Sequence, residues 1–364
     1  MNVMTTGAHD IHTLRDQLWA AVTDRDEFGA AGVVFAALDS GMDAETALLD
    51  VIAPVQRKVG TEWAANRLTV AQEHAASAIA ERVVAALAHH PATRTAPHLG
   101  RITVACVDQE WHSLPARLLT EVLSLRGWHV DFLGAQVPTP HLIAHLHSSG
   151  ADAVALSSSL PTRLPTAHAA ITACQAIGIP VLVGGAAFGP DGRYARLLGA
   201  NAWAPDARSA AQQLTDGIPV HSVAGGRQQI DDLPHLTDQE YTLVTRSQGQ
   251  LVKQVLTQLE ERFPAMAAYS EQQRERTAED IAHIVEFLAV ALYTDDDDLF
   301  TTFMTWTAGI LTARNVPARS LHPALDILAT ELKDFPRSIR LLDQARLALD
   351  STLVTTGPHP GALG

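Results

Sequence analysis

The sequence has few cysteines, no long apolar run and no basic cluster, and each absence removes a class of protein. Only two cysteines, Cys106 and Cys174, occur in 364 residues, so neither a disulfide framework nor a CxxC metal site is expected. Both lie among small apolar residues, which predicts buried thiols. There is no run of about 18 apolar residues and no signal-peptide pattern, so we expect a cytoplasmic protein without membrane contact.

Positive charge is also scarce. The formal net charge is −14, from 26 Lys and Arg against 40 Asp and Glu. Phosphate binding requires clustered Lys and Arg, and no basic stripe is present, so we expect no nucleic-acid partner. Hydrophobic residues make up 47% of the chain and charged residues 18%, which is typical of a folded protein. The length leaves room for two or three domains.

Residues 10–92 have the periodicity of helices. Apolar residues recur at intervals of three and four from Leu14 to Val22 and again from Val33 to Leu38. Two further helices are predicted, one through Leu48 to Val59 and one over 69–88. Four helices of this length predict a small bundle.

From residue 101 onward, short β-rich runs alternate with amphipathic helices. This alternation predicts a doubly wound parallel sheet, and five units in about 120 residues favour its flavodoxin-like version. We place this domain at residues 98–220. The predicted strands are 102–107, 129–133, 153–156, 181–183 and 201–204, and the predicted helices are 114–126, 139–148, 164–177, 191–198 and 206–216.

Residues 221–236 predict a linker, because they contain two adjacent glycines and an acidic stretch with a proline. Residues 237–355 predict a third domain that is all-α and similar in length to a globin-like sensor domain. The predicted fold class is therefore a multidomain protein with a four-helix bundle, a flavodoxin-like α/β domain and a C-terminal all-α domain. The helices predicted in the third domain are 238–262, 277–294, 296–313, 321–333 and 336–350.

Polar residues follow the first predicted strand of the α/β domain in the run Glu110-Trp111-His112. This run lies at the carboxyl edge of the sheet, where such folds bind ligands. The spacing lets the Glu110 carboxylate reach the imidazole nitrogen that does not bind a metal, which fixes the tautomer. Ser157-Ser158-Ser159 ends the third strand and Gly184-Gly185 ends the fourth. These small residues leave room at the same edge for a large, flat ligand.

These motifs resemble the cobalamin-binding domain family over about residues 98–218. The resemblance implies that His112 is the lower ligand of the cobalt, with Glu110 and Trp111 beside it. Two positions depart from the family pattern, because Glu110 replaces the usual Asp and Pro115 replaces a glycine that gives the nucleotide tail access to the backbone. The resemblance also implies that this tail lies near Ser157, Ser159, Gly184 and Gly185.

A second motif, Trp63 followed ten residues later by Glu73-His74, lies in the predicted bundle. It is similar to the cap of the adenosylcobalamin-dependent photoreceptors, which include light-released repressors of carotenoid synthesis. The resemblance implies that Trp63 packs against the adenosyl group, Glu73 holds its ribose, and His74 supports the cap or an oligomer contact. Ala64 stands where a histidine is expected in the repressors, so it cannot supply an upper cobalt ligand. We expect the repressors' DNA-binding helices to be absent from this chain.

The order of the three predicted domains resembles that of the photocobilins, which pair cobalamin with a non-covalently bound biliverdin. The third domain has no cysteine, which excludes a thioether-linked chromophore. A bilin would require basic residues for its propionates and aromatic residues around its rings. The candidate bilin-binding residues are His283, Tyr293, Trp306, Arg314 and His322.

The resemblance implies a light sensor and not an enzyme. Photolysis of the Co–C bond would move the cap and change a homo-oligomer interface, with a protein as the signalling partner. A corrinoid methyl carrier is the alternative, but it needs an open upper face, which Trp63 would cover. A radical mutase would require a barrel of roughly 250 residues, which is not present. A plain α/β scaffold would make both motifs coincidental.

Overall fold

The computed structural model describes residues 10–219, 233–263, 266 and 268–355, without the side chains of the last four. It divides into two compact units, one before and one after residues 220–232. Residues 221–232 of the predicted linker lie outside the described residues. The end of the linker, from residue 234, belongs to a 3₁₀ helix, Pro234–Asp238. The described part of the first unit contains helices and a parallel sheet, and that of the second contains helices. The predicted fold class is confirmed.

Helical segments of the predicted number form the N-terminal bundle. The third segment is continuous and contains a π-helical stretch, Ala47–Ile52, that the apolar pattern does not reveal. The segments are α1 (Ile11–Thr23), α2 (Glu27–Asp39), α3 (Ala44–Thr46) with the π-helical stretch and α4 (Ala53–Ala64), and α5 (Val70–Leu87).

Polar side chains fix where α5 begins and therefore where its first turn lies. Thr69 and Gln72 form a reciprocal capping box, in which each side chain accepts a hydrogen bond from the backbone N–H of the other. Glu73 follows directly and lies in the first turn of α5. A carboxylate at this position is favoured by the positive end of the helix dipole.

The strands of the α/β domain are all parallel, in the order β2-β1-β3-β4-β5. This is the flavodoxin-like order, in which ligands bind beyond the carboxyl ends of the strands where the strand order reverses. Here the reversal lies between β1 and β3. The strands are β1 (Arg101–Cys106), β2 (His129–Gly134), β3 (Ala153–Ser157), β4 (Val181–Gly184) and β5 (Ala202–Ala204). The helices are α6 (Leu114–Leu125), α7 (Thr139–Ser149), α8 (Leu164–Ala176), α9 (Arg193–Leu197) and α10 (Ala207–Asp216).

One apolar cluster joins the bundle to the sheet. It contains Leu48 and Val84 of the bundle together with Val104 and Leu123 of the α/β domain, all of them fully buried. Burial of apolar surface is the main favourable term in folding, so the bundle and the sheet stabilise each other. Cys106, at the end of β1, belongs to the same cluster.

Two arginines of the α/β domain also hold the bundle through bidentate ion pairs. Arg126, which follows α6, contacts both carboxylate oxygens of Glu45 at 2.9 and 3.0 Å. Arg208 of α10 contacts both carboxylate oxygens of Asp50 at 3.1 and 2.6 Å, and one of Glu45 at 3.1 Å. Since Asp50 lies in the π-helical stretch, that side of the bundle is tied to the sheet domain.

The second unit contains the helices predicted for the third domain. The second of them begins at Glu271, before the predicted residue 277, because Ser270 and Gln273 form a capping box there. The acidic run over 295–298 does start a helix, with Asp296 as its N-cap. The helices are α11 (Glu240–Arg262), α12 (Glu271–Thr294), α13 (Asp297–Ala313), α14 (His322–Glu331) and α15 (Pro336–Thr355).

Both cysteines are buried, as predicted. Burial raises the pKa of Cys106 to about 12, and the charges of Glu110 and Glu81 add to this effect. Burial also raises the pKa of Cys174 to about 12. Both thiols therefore stay protonated at neutral pH and are poor nucleophiles. Within the described ranges, no helix combines the length and the hydropathy needed to cross a bilayer.

Candidate functional site

A buried carboxylate organises the carboxyl edge of the sheet. Glu110 is fully buried, and its Oε1 accepts hydrogen bonds from the backbone N–H of His112 at 2.9 Å and from the His112 ring at 2.6 Å. Its Oε2 accepts from the backbone N–H groups of Ser159 at 2.7 Å and Leu160 at 3.1 Å, and from the Ser158 hydroxyl at 3.1 Å. One side chain therefore ties the loop after β1 to the loop after β3.

These hydrogen bonds decide the charge of Glu110. Burial alone raises the pKa of a carboxyl group, but the donors from His112, Ser159 and Leu160 outweigh it and lower the pKa of Glu110 to about 2. An ionised carboxylate can only accept hydrogen bonds, so the proton between Glu110 and His112 lies on Nδ1 of the imidazole. The tautomer of His112 is thereby fixed.

His112 retains one ring nitrogen for a ligand. Its side chain is 55% exposed, and its Nε2 makes no hydrogen bond to any of the described residues. The pKa of His112 is raised, first by its hydrogen bond to Glu110 and further by the charges of Glu110 and Glu73, against the effect of burial. An imidazole with a carboxylate on Nδ1 and a free Nε2 has the arrangement of a metal-ligating histidine.

The metal-binding side chains near His112 suit a metal ion whose other ligands come from a cofactor. Within the described part of the chain, no group of three or more His, Cys, Asp or Glu side chains could hold a metal ion. A single imidazole is insufficient for a bare metal ion, which needs several protein ligands. It is sufficient for a cobalt whose four equatorial positions are filled by a macrocycle. The residues present therefore fit a corrinoid.

The loops after β3 and β4 pack against each other without room for a side chain. The backbone N–H of Ser158 donates to the Gly184 carbonyl at 3.1 Å, and the Ser158 carbonyl accepts from Ala187 at 3.1 Å. Gly185 has a φ of +100°, and a Cβ there would lie 2.2 Å from the Ser158 carbonyl oxygen. Gly185 is therefore required for the packing of these two loops. The resemblance assigned it to the nucleotide tail alone.

The remaining predicted residues of this domain lie around the same edge. Ser157 is buried at the end of β3, and Ser159 is half-buried and donates its backbone N–H to Glu110. Trp111 is 68% exposed. Pro115 lies in the first turn of α6, where a proline is favoured because the first N–H groups of a helix have no intrahelical partner.

The cap motif is assembled from two adjacent helices. Trp63 lies in the last turn of α4, half-buried against the bundle core. Glu73, in the first turn of α5, has one carboxylate oxygen 2.8 Å from the Ser77 hydroxyl and the other 2.5 Å from Nδ1 of His74. The His74 side chain is 75% exposed and that of Glu73 is 25% exposed. Glu73 is thus ordered at the surface of the cap.

One face of α5 lies over the loop that carries His112. The hydroxyl of Ser113, the residue after His112, donates to Glu81 of α5 at 2.6 Å. Glu73, Ser77 and Glu81 follow one another at a spacing of four, which places them on the same helical face. The charge of Glu73 also raises the pKa of His112. The structure therefore places Glu73 of the cap motif on the helix face that contacts the loop of His112.

Several residues of this site carry no motif in the sequence. Ser158 was visible only as part of a serine run, and Leu160 contributes a backbone N–H that no side chain signals. Ser77 and Glu81 could have been found from their spacing with Glu73 on α5. Ser113 could have been found as the neighbour of His112.

The candidate bilin-binding residues lie in different surroundings in the second unit. Tyr293 is fully buried, with its ring 4.8 Å from that of Tyr241, whereas His283 is exposed. Ten residues of α12, about 15 Å, separate the two. Trp306 is 51% exposed, and its ring lies 6.5 Å from that of Phe303. Arg314 donates to the carbonyl of Ile310, and Nε2 of His322 lies 3.0 Å from Asp350.

Comparisons with known proteins agree with this geometry. Residues 100–214 match the sequence model of the B12 binding domain, and residues 14–88 match a second model with the same description. The HTH-type transcriptional repressor CarH of Myxococcus xanthus is 32% identical over 183 residues, which are 48% of this chain and 58% of the repressor. The repressor CarA of the same organism is 31% identical over 182 residues, again 58% of its length.

The matches span less than two thirds of the length of these curated relatives. Among solved structures, the monomethylamine corrinoid protein of Methanosarcina barkeri superimposes with a TM-score of 0.50 at 18% identity, covering 56% of this chain and 98% of that protein. At this identity the likeness concerns the fold alone. Residues 14–88 and 100–214, which contain the cap motif and the Glu110–His112 pair, are therefore similar to two B12 binding domains in tandem.

Proposed function

We propose that this chain is a light-sensing protein that binds adenosylcobalamin between its helical cap and its α/β domain. The observation that carries the proposal is the free Nε2 of His112, whose Nδ1 is held by the buried Glu110. When bound, adenosylcobalamin supplies a Co–C bond that light cleaves. His112 would hold the cobalt from below, with Ser157, Ser159, Gly184 and Gly185 near the nucleotide tail.

The cap supports the choice of a sensor. Glu73 lies on the face of α5 that contacts the His112 loop, and Trp63 lies at the adjoining end of α4, so both would contact the adenosyl group. When this contact is lost, the helix ends that carry them lose a packing partner, while Arg126 and Arg208 still hold Glu45 and Asp50 of the bundle through ion pairs. The cap would then shift and change a homo-oligomer interface. We propose a protein as the signalling partner, in keeping with the net charge of −14.

The curated relatives and the shared fold favour two different functions, a regulator and a methyl carrier. The curated relatives are named as transcriptional repressors and not as enzymes, which favours a regulator. The fold is shared with a monomethylamine corrinoid protein, and a methyl carrier would use the same His112. A methyl carrier would also need the upper face of its cobalamin to be open to a methyltransferase. Trp63 and Glu73 at the cap surface would cover that face, which argues against a methyl carrier.

The proposal is tested by absorption spectra of the protein with adenosylcobalamin, taken in the dark and after green light. We expect a bound cobalamin spectrum that converts under light, with a change in elution volume on gel filtration. Bound cobalamin that stays unchanged at light intensities that cleave the free cofactor would reject the sensor and favour the methyl carrier.

The lower ligand is tested by His112→Ala. We expect the dissociation constant for adenosylcobalamin to rise at least about 10- to 100-fold, since even indirect metal contacts have effects of this size. His147→Ala, on the exposed face of α7, is the matched control and should leave the constant unchanged. Equal binding by both variants would remove His112 from the site.

The second unit is proposed to hold biliverdin non-covalently as a second chromophore, with His283, Tyr293, Trp306, Arg314 and His322 as the candidate residues. The exposed ring of Trp306 beside Phe303, which stacks on Phe287 at 3.7 Å, offers an aromatic surface for it. We expect added biliverdin to give a far-red band that Trp306→Ala weakens. If no band forms, the second unit binds no bilin, and an interaction surface becomes its assignment.

A further inference from the structure

Glu73 is held by a chain of two hydrogen bonds that begins on the neighbouring helix. Nε2 of the Gln56 amide, on α4, lies 2.5 Å from the hydroxyl of Ser77 on α5. That hydroxyl lies 2.8 Å from Oε1 of Glu73. All three side chains are half-buried. Neither Gln56 nor Ser77 belongs to the motif of Trp63, Glu73 and His74.

The donors and acceptors of these three side chains allow the two hydrogen bonds to run in one direction only, from Gln56 through Ser77 to Glu73. The Ser77 hydroxyl has a single proton, and it donates this proton to Oε1 of Glu73. The same hydroxyl must then accept from Gln56, which presents its NH₂ group. Glu73 retains further lone pairs on both oxygens, so it can still accept a hydrogen bond from a ligand.

The Gln56–Ser77 contact also sets the register of α4 against α5. A short connection joins the two helices, so they run in opposite directions. Gln56 lies seven residues before Trp63, which places both on the same face of α4. Ser77 lies one turn after Glu73 on α5. The contact therefore fixes the offset of the two residues, with Trp63 about 4.5 Å beyond the level of Glu73 at the same end of the cap.

We propose that Gln56 and Ser77 are positioning residues that set the preference of the cap for adenosylcobalamin over cobalamins with a small upper ligand. They act through Glu73, whose carboxylate they orient, and through the level of Trp63. This inference rests on the proposed function, because it requires Glu73 and Trp63 to contact the adenosyl group. A cobalamin that carries only a methyl group on the cobalt would not reach Glu73.

The test compares dark dissociation constants of the full chain for adenosylcobalamin and methylcobalamin. Ser77→Ala should weaken adenosylcobalamin binding about fivefold to tenfold, the size expected for one hydrogen bond. Methylcobalamin binding should stay within about twofold. Ser77→Thr, which keeps the hydroxyl, should restore the preference. Gln56→Leu should act in the same direction as Ser77→Ala. Thr61→Ala is the matched control, since its hydroxyl donates to the backbone carbonyl of Arg57 within α4.

Two results would overturn the inference alone. An equal loss of affinity for both cobalamins in Ser77→Ala would mean that the contact only stabilises the bundle. A wild-type preference for adenosylcobalamin that survives unchanged in Ser77→Ala and Gln56→Leu would mean that Glu73 needs no positioning. If the wild-type protein bound neither cobalamin, or bound both with equal affinity, the adenosyl contact in the proposed function would fail and the inference with it.

Discussion

Gly185→Ala is expected to destabilise the first unit by about 4 kcal/mol, an effect in the range reserved for severe backbone or core disruption. The added Cβ would lie 2.2 Å from the carbonyl oxygen and 2.9 Å from the carbonyl carbon of Ser158. Both are backbone atoms, so neither can rotate away as a flexible side chain could. The φ of +100° is also unfavourable for any residue with a Cβ. The loops after β3 and β4 would have to separate.

Gly199→Ala is the control for this prediction. Gly199 also has a positive φ, of +70°, but a Cβ added there would meet no neighbouring group within 4 Å. Its cost should therefore be the backbone penalty alone, about 1 kcal/mol. Urea unfolding followed by tryptophan fluorescence measures both variants, since five of the six tryptophans lie in the first unit. Equal stabilities would contradict the close approach of the two loops.

Glu110→Gln is expected to lower the free energy of unfolding by about 3 kcal/mol at pH 7 in the protein without cofactor. The interval between the ordinary pKa of 4.5 and the value of about 2 corresponds to this energy. The amide replaces one acceptor oxygen with a donor that faces other donors. Urea unfolding measures the loss, and Glu27→Gln, in a partly exposed ion pair with Arg82, is a control expected within about 0.5 kcal/mol of wild type.

The contribution of Glu110 to the free energy of unfolding decreases as the pH falls. The pKa of Glu110 is lower in the folded than in the unfolded chain, so its contribution is complete above pH 4.5 and is lost as the pH falls toward 2. The stability difference between wild type and Glu110→Gln should therefore shrink to about half by pH 3. A difference that stays constant from pH 7 to pH 3 would show that Glu110 is not held by these hydrogen bonds.

Most of the architecture follows from local sequence patterns. Alternating β-rich and amphipathic runs predict the five strands within one or two residues, because each strand is bounded by turn residues and β1, β3 and β4 are mostly buried. The π-helical stretch could not be predicted, since Ala47–Ile52 has the apolar content of an ordinary helix. The early start of α12 was missed because the Ser270–Gln273 capping box precedes an apolar pattern that begins only later.

The site could be predicted only in part. Glu110 and His112 are close in sequence, so their contact follows from the spacing. Contacts between residues that are far apart in the sequence cannot be predicted from a local sequence pattern. Arg208 and Asp50 lie 158 residues apart, and Leu160 reaches Glu110 through a backbone N–H, which any residue could provide. The packing role of Gly185 was likewise hidden, since two adjacent glycines also occur in ordinary turns.

The central claim is that His112 replaces the cofactor's own base below the cobalt. The most direct test is the electron paramagnetic resonance spectrum of the Co(II) state, produced by anaerobic photolysis of adenosylcobalamin bound to uniformly ¹⁵N-labelled protein. If the axial nitrogen belongs to His112, coupling to ¹⁵N splits each cobalt line in two, whereas unlabelled protein gives three. Three-fold splitting in the labelled protein would show that the cofactor's own ¹⁴N base remains bound, and it would contradict the account.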